Sequence, residues 1–371
     1  MQLIDTDAAL RACLTRWRDA PVLALDTEFV RVDTYDPRLC LLQVGDGHDA
    51  CVLDMLALHD LDALLDVLFD ARRVKLLHAG SQDLEIFAHL RDAPLAPLFD
   101  TQIAAELLGD GDQLGYAALV EQRFGITLDK SLTRTDWARR PLTAAELDYA
   151  AEDVTHLYDL YPVLREALVA CGRLAWLQED CARLATPARY ANDPQDAWRR
   201  LKGLQRLPSQ ARAAAVALAQ WREATAQRAN RPRRWILSDD ALYALAGRQP
   251  HDVAALANVP GLPPKTAKRH GSAIVAALAA ANGPLPEGLQ LDSTPLTADE
   301  KRRFNGLRST LESCAAHLGI PRGLLANRAD LEQLTRHGST ADIALTHGWR
   351  HTVATDVLDA ADLTAGAAQG N

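Results

Sequence analysis

Between positions 21 and 79 the chain passes through four short apolar runs, at 22–25, 39–44, 50–53 and 74–78, each bounded by turn-forming or charged residues. Runs this short fit buried β-strands better than helices. Helical periodicity follows at 61–69, 84–90 and 101–108. The first half therefore reads as an α/β domain, a sheet covered by helices. Beyond about residue 171 the strand signal fades and Ala, Leu and Arg recur at helical spacing, which predicts an all-α remainder.

Clusters of turn formers divide that remainder. Asn192-Asp193-Pro194, Asn282-Gly283-Pro284 and Ser293-Thr294-Pro295 each combine residues that leave a helix with a proline that cannot continue one. They predict a domain over 1–190, a linker over 191–208, a helical domain over 209–290, a second over 295–363 and a frayed tail over 364–371. A loose internal repeat supports two related helical pieces: Asp240, Leu242, Leu245 and Arg269-His270-Gly271 recur as Asp330, Leu331, Leu334 and Arg336-His337-Gly338.

The 371 residues carry 40 Lys+Arg against 49 Asp+Glu, a net charge of -9, which excludes the uniformly basic surface of a nonspecific DNA coat and requires any nucleic-acid contact to be local. The six cysteines show no zinc-ligand spacing and read as reduced thiols. The first twenty residues are charged, and no apolar run approaches the ~18 residues of a membrane span, so a cytoplasmic protein without membrane contact is expected.

Asp26-Thr27-Glu28 follows directly on the first apolar run. Alternate side chains of a strand share a face, so both carboxylates point the same way, and like charges so placed call for a cation. Asp83 opens a predicted helix just after another apolar run, at the same edge of the sheet if the two strands are neighbours. Tyr149 and Asp153, four apart in a helical stretch, stack on one helical face. Four acids without histidine form an oxygen-only set suited to hard divalent cations. A pair of such ions, Mg2+ or Mn2+, suits in-line displacement at a phosphodiester.

These three motifs in this order resemble the DEDD exonuclease superfamily in its tyrosine-bearing branch. Leu39-Cys40-Leu41-Leu42-Gln43, Phe99-Asp100-Thr101, Lys130 to Trp137 and Arg140-Pro141-Leu142 sharpen the likeness to the bacterial ribonuclease D family. The resemblance implies an RNase H-like mixed sheet in the first domain, α/β, followed by two all-α HRDC-type domains. Trp221-Arg222-Glu223 and Asn230-Arg231-Pro232-Arg233-Arg234 resemble the first of these. It further implies that Asp26, Glu28 and Asp153 hold one ion, that Asp26 and Asp83 hold a second, and that Tyr149 orients or helps deprotonate the attacking water.

On the same basis Phe29 is placed to stack on the terminal base, Thr27 and Gln43 to contact the last nucleotide, and Lys130 and Arg134 to hold phosphates. The basic run from Arg228 to Arg234 beside Trp235, with those at 265–270 and 301–303, suits single-stranded nucleic acid. The family implies a monomeric enzyme that trims the 3′ ends of transfer-RNA precursors and releases nucleoside 5′-monophosphates. The same acids would serve a proofreading DNA exonuclease, and a decayed site would leave a nucleic-acid-binding scaffold.

Overall fold

The computed structural model describes residues 2–129, 132, 135–281, 283, 285–286, 289 and 295–369. Its elements run β1 (Gln2–Ile4), α1 (Asp7–Trp17), β2 (Val22–Val30), β3 (Arg38–Gly45), β4 (Ala50–Asp54), α2 (Asp62–Leu68), β5 (Val74–Leu77), α3 (Ser81–Leu90), β6 (Leu98–Asp100), α4 (Thr101–Leu108), α5 (Tyr116–Phe124), α6 (Ala144–Ala170) and α7 (Leu174–Leu184). Then come α8 (Ser209–Ala229), α9 (Arg233–Ile236), α10 (Asp239–Arg248), α11 (Pro264–Ala279), α12 (Ala298–Leu318), α13 (Arg322–Leu325), α14 (Arg328–His337), α15 (Gly348–Val353) and α16 (Thr355–Gln369). The chain divides into two compact units. One holds Met1–Val30, Leu39–Tyr190 and Leu296–Asn371, and the other holds Arg31–Arg38 and Ala191–Pro295.

The first unit is built on a six-stranded sheet in the order β1-β4-β3-β2-β5-β6. β1 runs parallel to β4, β3 antiparallel to β4, and β2, β5 and β6 parallel to one another, so the sheet is mixed. The four apolar runs are its inner strands, while β1 and β6, of three residues each, are too short to leave a run in the sequence. α6 starts at a capping box in which the Thr143 side chain accepts from the Glu146 N–H and the Glu146 carboxylate accepts from the Thr143 N–H. It crosses the sheet closely: a Cβ on Gly45 would lie 3.2 Å from the Val154 carbonyl oxygen.

The helices α12 to α16 share one continuous apolar core with that sheet, since Leu307, Leu311 and Leu345 belong to the same buried cluster as Leu23, Leu157 and Leu177. A buried ion pair reinforces the contact. Arg350 on α15 meets Asp180 on α7 through Nη1–Oδ1 at 2.5 Å and Nη2–Oδ2 at 2.9 Å, and Trp349 stacks on Trp176 with ring centroids 4.5 Å apart.

In the second unit, α8, α10 and α11 close around Leu218, Leu242, Leu245 and Ile274. Glu223, 1% exposed, accepts from Tyr35 Oη and from Arg233 Nη2 at 2.7 Å, and Asn230 Oδ1 accepts from the Tyr35 N–H at 2.9 Å. The basic run is thus partly spent on structure: Arg233 pairs with Glu223, Arg231 with Asp33 and Arg234 with Asp239. Trp235 stays 60% exposed.

Candidate active site

β2 delivers Asp26 and Glu28 on one face, and α6 lays Tyr149 and Asp153 over it. The ligand atoms of Asp26, Glu28 and Asp153 all lie within 4.8 Å of one another. Asp83, in the first turn of α3, lines the same cavity of about 460 Å³, together with Thr27, Phe29 and Tyr149. Its carboxylate accepts from the Thr27 hydroxyl, because Thr27 alternates to the other side of β2 from its two acidic neighbours. Thr27 is itself buried, so its side chain acts on Asp83.

A corner of the backbone presents Asp83. Ala79 takes φ +53, a left-handed conformation that a residue with a Cβ adopts only when its surroundings hold it there. Asp100, at the end of β6, supplies the hold. Its carboxylate accepts from the N–H groups of Ala79 at 3.2 Å and Gly80 at 2.9 Å while capping α4 at Gln102 and Ile103. Asp100→Ala leaves four amides short of an acceptor and should cost about 3 kcal/mol of stability, with turnover falling more than in proportion as Asp83 is released. Urea unfolding and a rate measurement check both effects, and full activity in the variant would show that the corner holds itself.

The segment holding Trp137 and Arg140 frames the other wall. Arg140 grips Asp54 on β4 by Nε–Oδ2 and Nη2–Oδ1, both at 2.6 Å, and donates to the Trp137 carbonyl at 2.7 Å. Trp137, 3% exposed, then lies against Tyr149, ring planes 24° apart and centroids 6.3 Å apart.

Electrostatically the site is strained in the absence of a cation. Burial, then Asp83, Asp153 and Glu28, raise Asp26 well above the usual carboxylate range. Burial followed by its acidic neighbours pushes Glu28 up to about 8, and burial takes Asp153 to about 7 and Asp83 to about 6. Burial and then the charges of Asp153, Glu28 and Asp26 raise the Tyr149 hydroxyl too, so it keeps its proton at neutral pH.

A carboxyl group whose pKa is raised on folding binds protons more tightly in the native state. Its stability contribution is intact below the unfolded value near 4 and is lost as pH rises through the folded value. Ion-free protein should accordingly lose thermal stability between about pH 4 and pH 8, following Asp83, Asp153 and Glu28 in turn. Millimolar Mn2+ or Mg2+ should restore it, more at pH 8 than at pH 5, because protons compete for the same oxygens. Melting curves with chelator and with metal test this, and a metal effect independent of pH would contradict it.

The expected site residues Asp26, Thr27, Glu28, Phe29, Asp83, Tyr149 and Asp153 therefore meet at one cavity. Gln43 does not line it. It is fully buried on β3 and has no surface to offer a nucleotide, because it lies on the face of the sheet that α6 covers. Lys130 and Arg134 lie outside the described residues. Sequence reasoning passed over His78, Tyr116, Thr135 and Trp137, which also line the cavity. Thr135 and Trp137 stand in a motif already singled out, whereas Tyr116 reaches the site only through tertiary placement, its hydroxyl donating to the Glu152 carbonyl at 3.1 Å beside Asp153.

Comparison with known proteins shows the family of the chain. A 3′-5′ exonuclease family model matches residues 1–169 and an HRDC domain model matches 211–278. A ribonuclease D of Pseudomonas paraeruginosa is 38% identical over 339 residues, 91% of this chain and 90% of that protein. Another, of a Shewanella species, is 35% identical over 98% of this chain and 94% of its own length. Among solved structures, Escherichia coli RNase D, an exoribonuclease involved in structured RNA processing, superposes with a TM-score of 0.84 at 32% identity, covering 97% of this chain and 98% of that one. On this agreement of sequence and fold along almost its entire length, the chain belongs to the ribonuclease D family of 3′-5′ exoribonucleases.

Proposed function

We propose that this chain shortens structured RNAs from their 3′ ends, with 3′-extended transfer-RNA precursors as its substrates and nucleoside 5′-monophosphates as products. The meeting of Asp26, Glu28 and Asp153 within 4.8 Å, with Asp83 and Tyr149 in the same cavity, carries this reading. The donor set consists of carboxylate oxygens alone, and their mutual repulsion is what a hard cation relieves. Asp26, Glu28 and Asp153 would hold one Mg2+ or Mn2+, and Asp26 with Asp83 a second. Such ions, when bound, supply Lewis acidity and neutralise charge developing on the phosphate.

The remaining steps belong to side chains. Tyr149 keeps its proton, so its hydroxyl orients the nucleophile as a hydrogen-bond donor and does not act as a free base. Trp137 fixes the Tyr149 ring, and Phe29, half-buried at the rim, is available to the terminal base. We assign Lys130 and Arg134 to phosphate contacts on sequence grounds. The presence of all four acids and the tyrosine in one cavity stands against a scaffold with a decayed site.

Residues 295–363 are proposed as a second HRDC-like copy. The succession α8, α9, α10 has lengths of 21, 4 and 10 residues, and α12, α13, α14 repeat them as 21, 4 and 10. Leu242 and Leu245 of α10 match Leu331 and Leu334 of α14, all four buried. No helix among the described residues is long and apolar enough to cross a membrane. We further propose that the protein works as a monomer in the cytoplasm.

The test is a time course on a 5′-labelled transfer-RNA precursor with a 3′ extension, beside a DNA oligomer of the same sequence, with metal or chelator. A metal-dependent ladder receding from the RNA 3′ end is expected. Preferential digestion of DNA would move the assignment to a proofreading nuclease, and intact but retarded RNA would favour the scaffold.

A further inference from the structure

Gln43 is 0% exposed, and neither its amide nitrogen nor its amide oxygen has a hydrogen-bond partner. Burying a primary amide in that condition opposes folding, and a hydrophobic residue of similar volume would avoid the loss. Its position in the sheet supplies a reason for keeping it. β2 and β3 are neighbours, and only seven residues, Arg31 to Pro37, join them, too few for the crossover that a parallel pair requires. The two strands are therefore antiparallel.

Their register follows from Gly45, where an added Cβ would lie 3.5 Å from the Ala24 Cβ and 3.4 Å from the Val154 Cβ. Gly45 and Ala24 thus stand opposite each other on the face covered by α6. Two residues along each strand, in opposite chain directions, the same face carries Gln43 opposite Asp26. Leu41, two residues further, belongs to the same buried cluster as Ala150 and Ala151 of α6, in keeping with that face. The Gln43 side chain therefore sits beneath the turn of α6 that carries Asp153 and beside Asp26, at a cross-strand Cβ separation of roughly 5 Å.

We propose that Gln43 is a positioning residue for Asp26: its amide N–H, otherwise unpartnered, would donate to the Asp26 carboxylate when a divalent cation is held there and fix the orientation in which that carboxylate ligates it. The residue type fits that task. An amide offers a donor and adds no charge to four crowded carboxylates, whereas glutamate would add a fifth and leucine would offer nothing. Partners of this kind around metal-ligating side chains change metal affinity or activity by about 10- to 100-fold when removed.

The inference rests on Asp26 being a metal ligand, so the experiment carries Asp26→Asn alongside. Mn2+ affinity is measured by calorimetry, and ion-free melting temperature by scanning, on the full chain and on Gln43→Leu, Gln43→Met and Asp26→Asn. Both Gln43 variants should melt no lower than the parent without ions, yet bind Mn2+ about tenfold more weakly and turn RNA over correspondingly slowly. Unchanged Mn2+ affinity in the Gln43 variants, with affinity lost in Asp26→Asn, overturns the proposal and leaves the site intact. Parental Mn2+ affinity in Asp26→Asn overturns the ligand assignment itself. A fall in ion-free melting temperature in both Gln43 variants would make the residue a packing element.

Discussion

Asp26→Asn should lower turnover by about a thousandfold or more while leaving the ion-free protein more stable than the parent at pH 8. The first effect follows from position: Asp26 belongs to the triad of carboxylates within 4.8 Å, and in the proposed scheme it is the acid shared by both ions. A bound cation supplies several kcal/mol of transition-state charge stabilisation, and about 4 kcal/mol corresponds to a factor near a thousand. The second effect has the opposite sign for the same reason. Asp26 is raised well above the usual carboxylate range by burial and by three acidic neighbours, so its ionised form opposes folding without a cation. Asparagine keeps the volume and removes the charge. The gain in melting temperature should shrink as pH falls towards and below 4, where the parent acids become protonated in the unfolded chain as they already are in the folded one. Rate measurements with Mn2+ and melting curves with chelator, each at two pH values, check both halves. Near-parental turnover would remove Asp26 from the chemistry, and a lower melting temperature at pH 8 would mean that the carboxylates are not crowded.

Such a site is legible in sequence because its parts are local. Asp26 and Glu28 are fixed on one face by strand alternation, and Tyr149 and Asp153 by helical spacing, so composition and period alone bring two pairs together. The inner strands are legible for a similar reason, being apolar on both faces beneath covering helices. What escaped depends on distant partners. The role of Asp100 comes from its four amide contacts, two of them twenty or more residues away around a corner whose strain appears only in the φ of Ala79. Gln43 reads as a polar residue available to substrate, and only the register of β2, β3 and α6 shows it to be sealed beneath them. The Arg228 to Arg234 run shows the limit of reading charge as function. Burial of Glu223 draws Arg233 inward, and nothing adjacent in the chain signals that.

The largest loss of stability away from the carboxylates is expected from Arg350→Ala, on a helix far along the chain from the catalytic strand. Arg350 and Asp180 have side chains only 6% and 4% exposed and meet in a two-point contact, and Arg350 Nε also donates to the Leu324 carbonyl at 2.7 Å. Removing the cation leaves the Asp180 carboxylate buried beside little but Arg183, a penalty of about 3–5 kcal/mol. In a unit of this size that corresponds to a melting temperature lower by roughly 10 °C. Activity should fall with it, by a route the structure traces. Asp180 precedes Cys181, whose Sγ accepts from the Asp100 N–H at 3.3 Å, and Asp100 holds the corner that presents Asp83. Loosening α7 therefore loosens a metal-ligand candidate without touching it. A double variant separates charge from packing. Arg350→Met combined with Asp180→Leu removes both charges at similar volume, and should recover most of the melting temperature lost in Arg350→Ala. Recovery of stability together with turnover would show that α15 serves the nuclease site as an apolar brace. A double variant as unstable as Arg350→Ala would instead assign the loss to the shape of the guanidinium and its hold on Leu324.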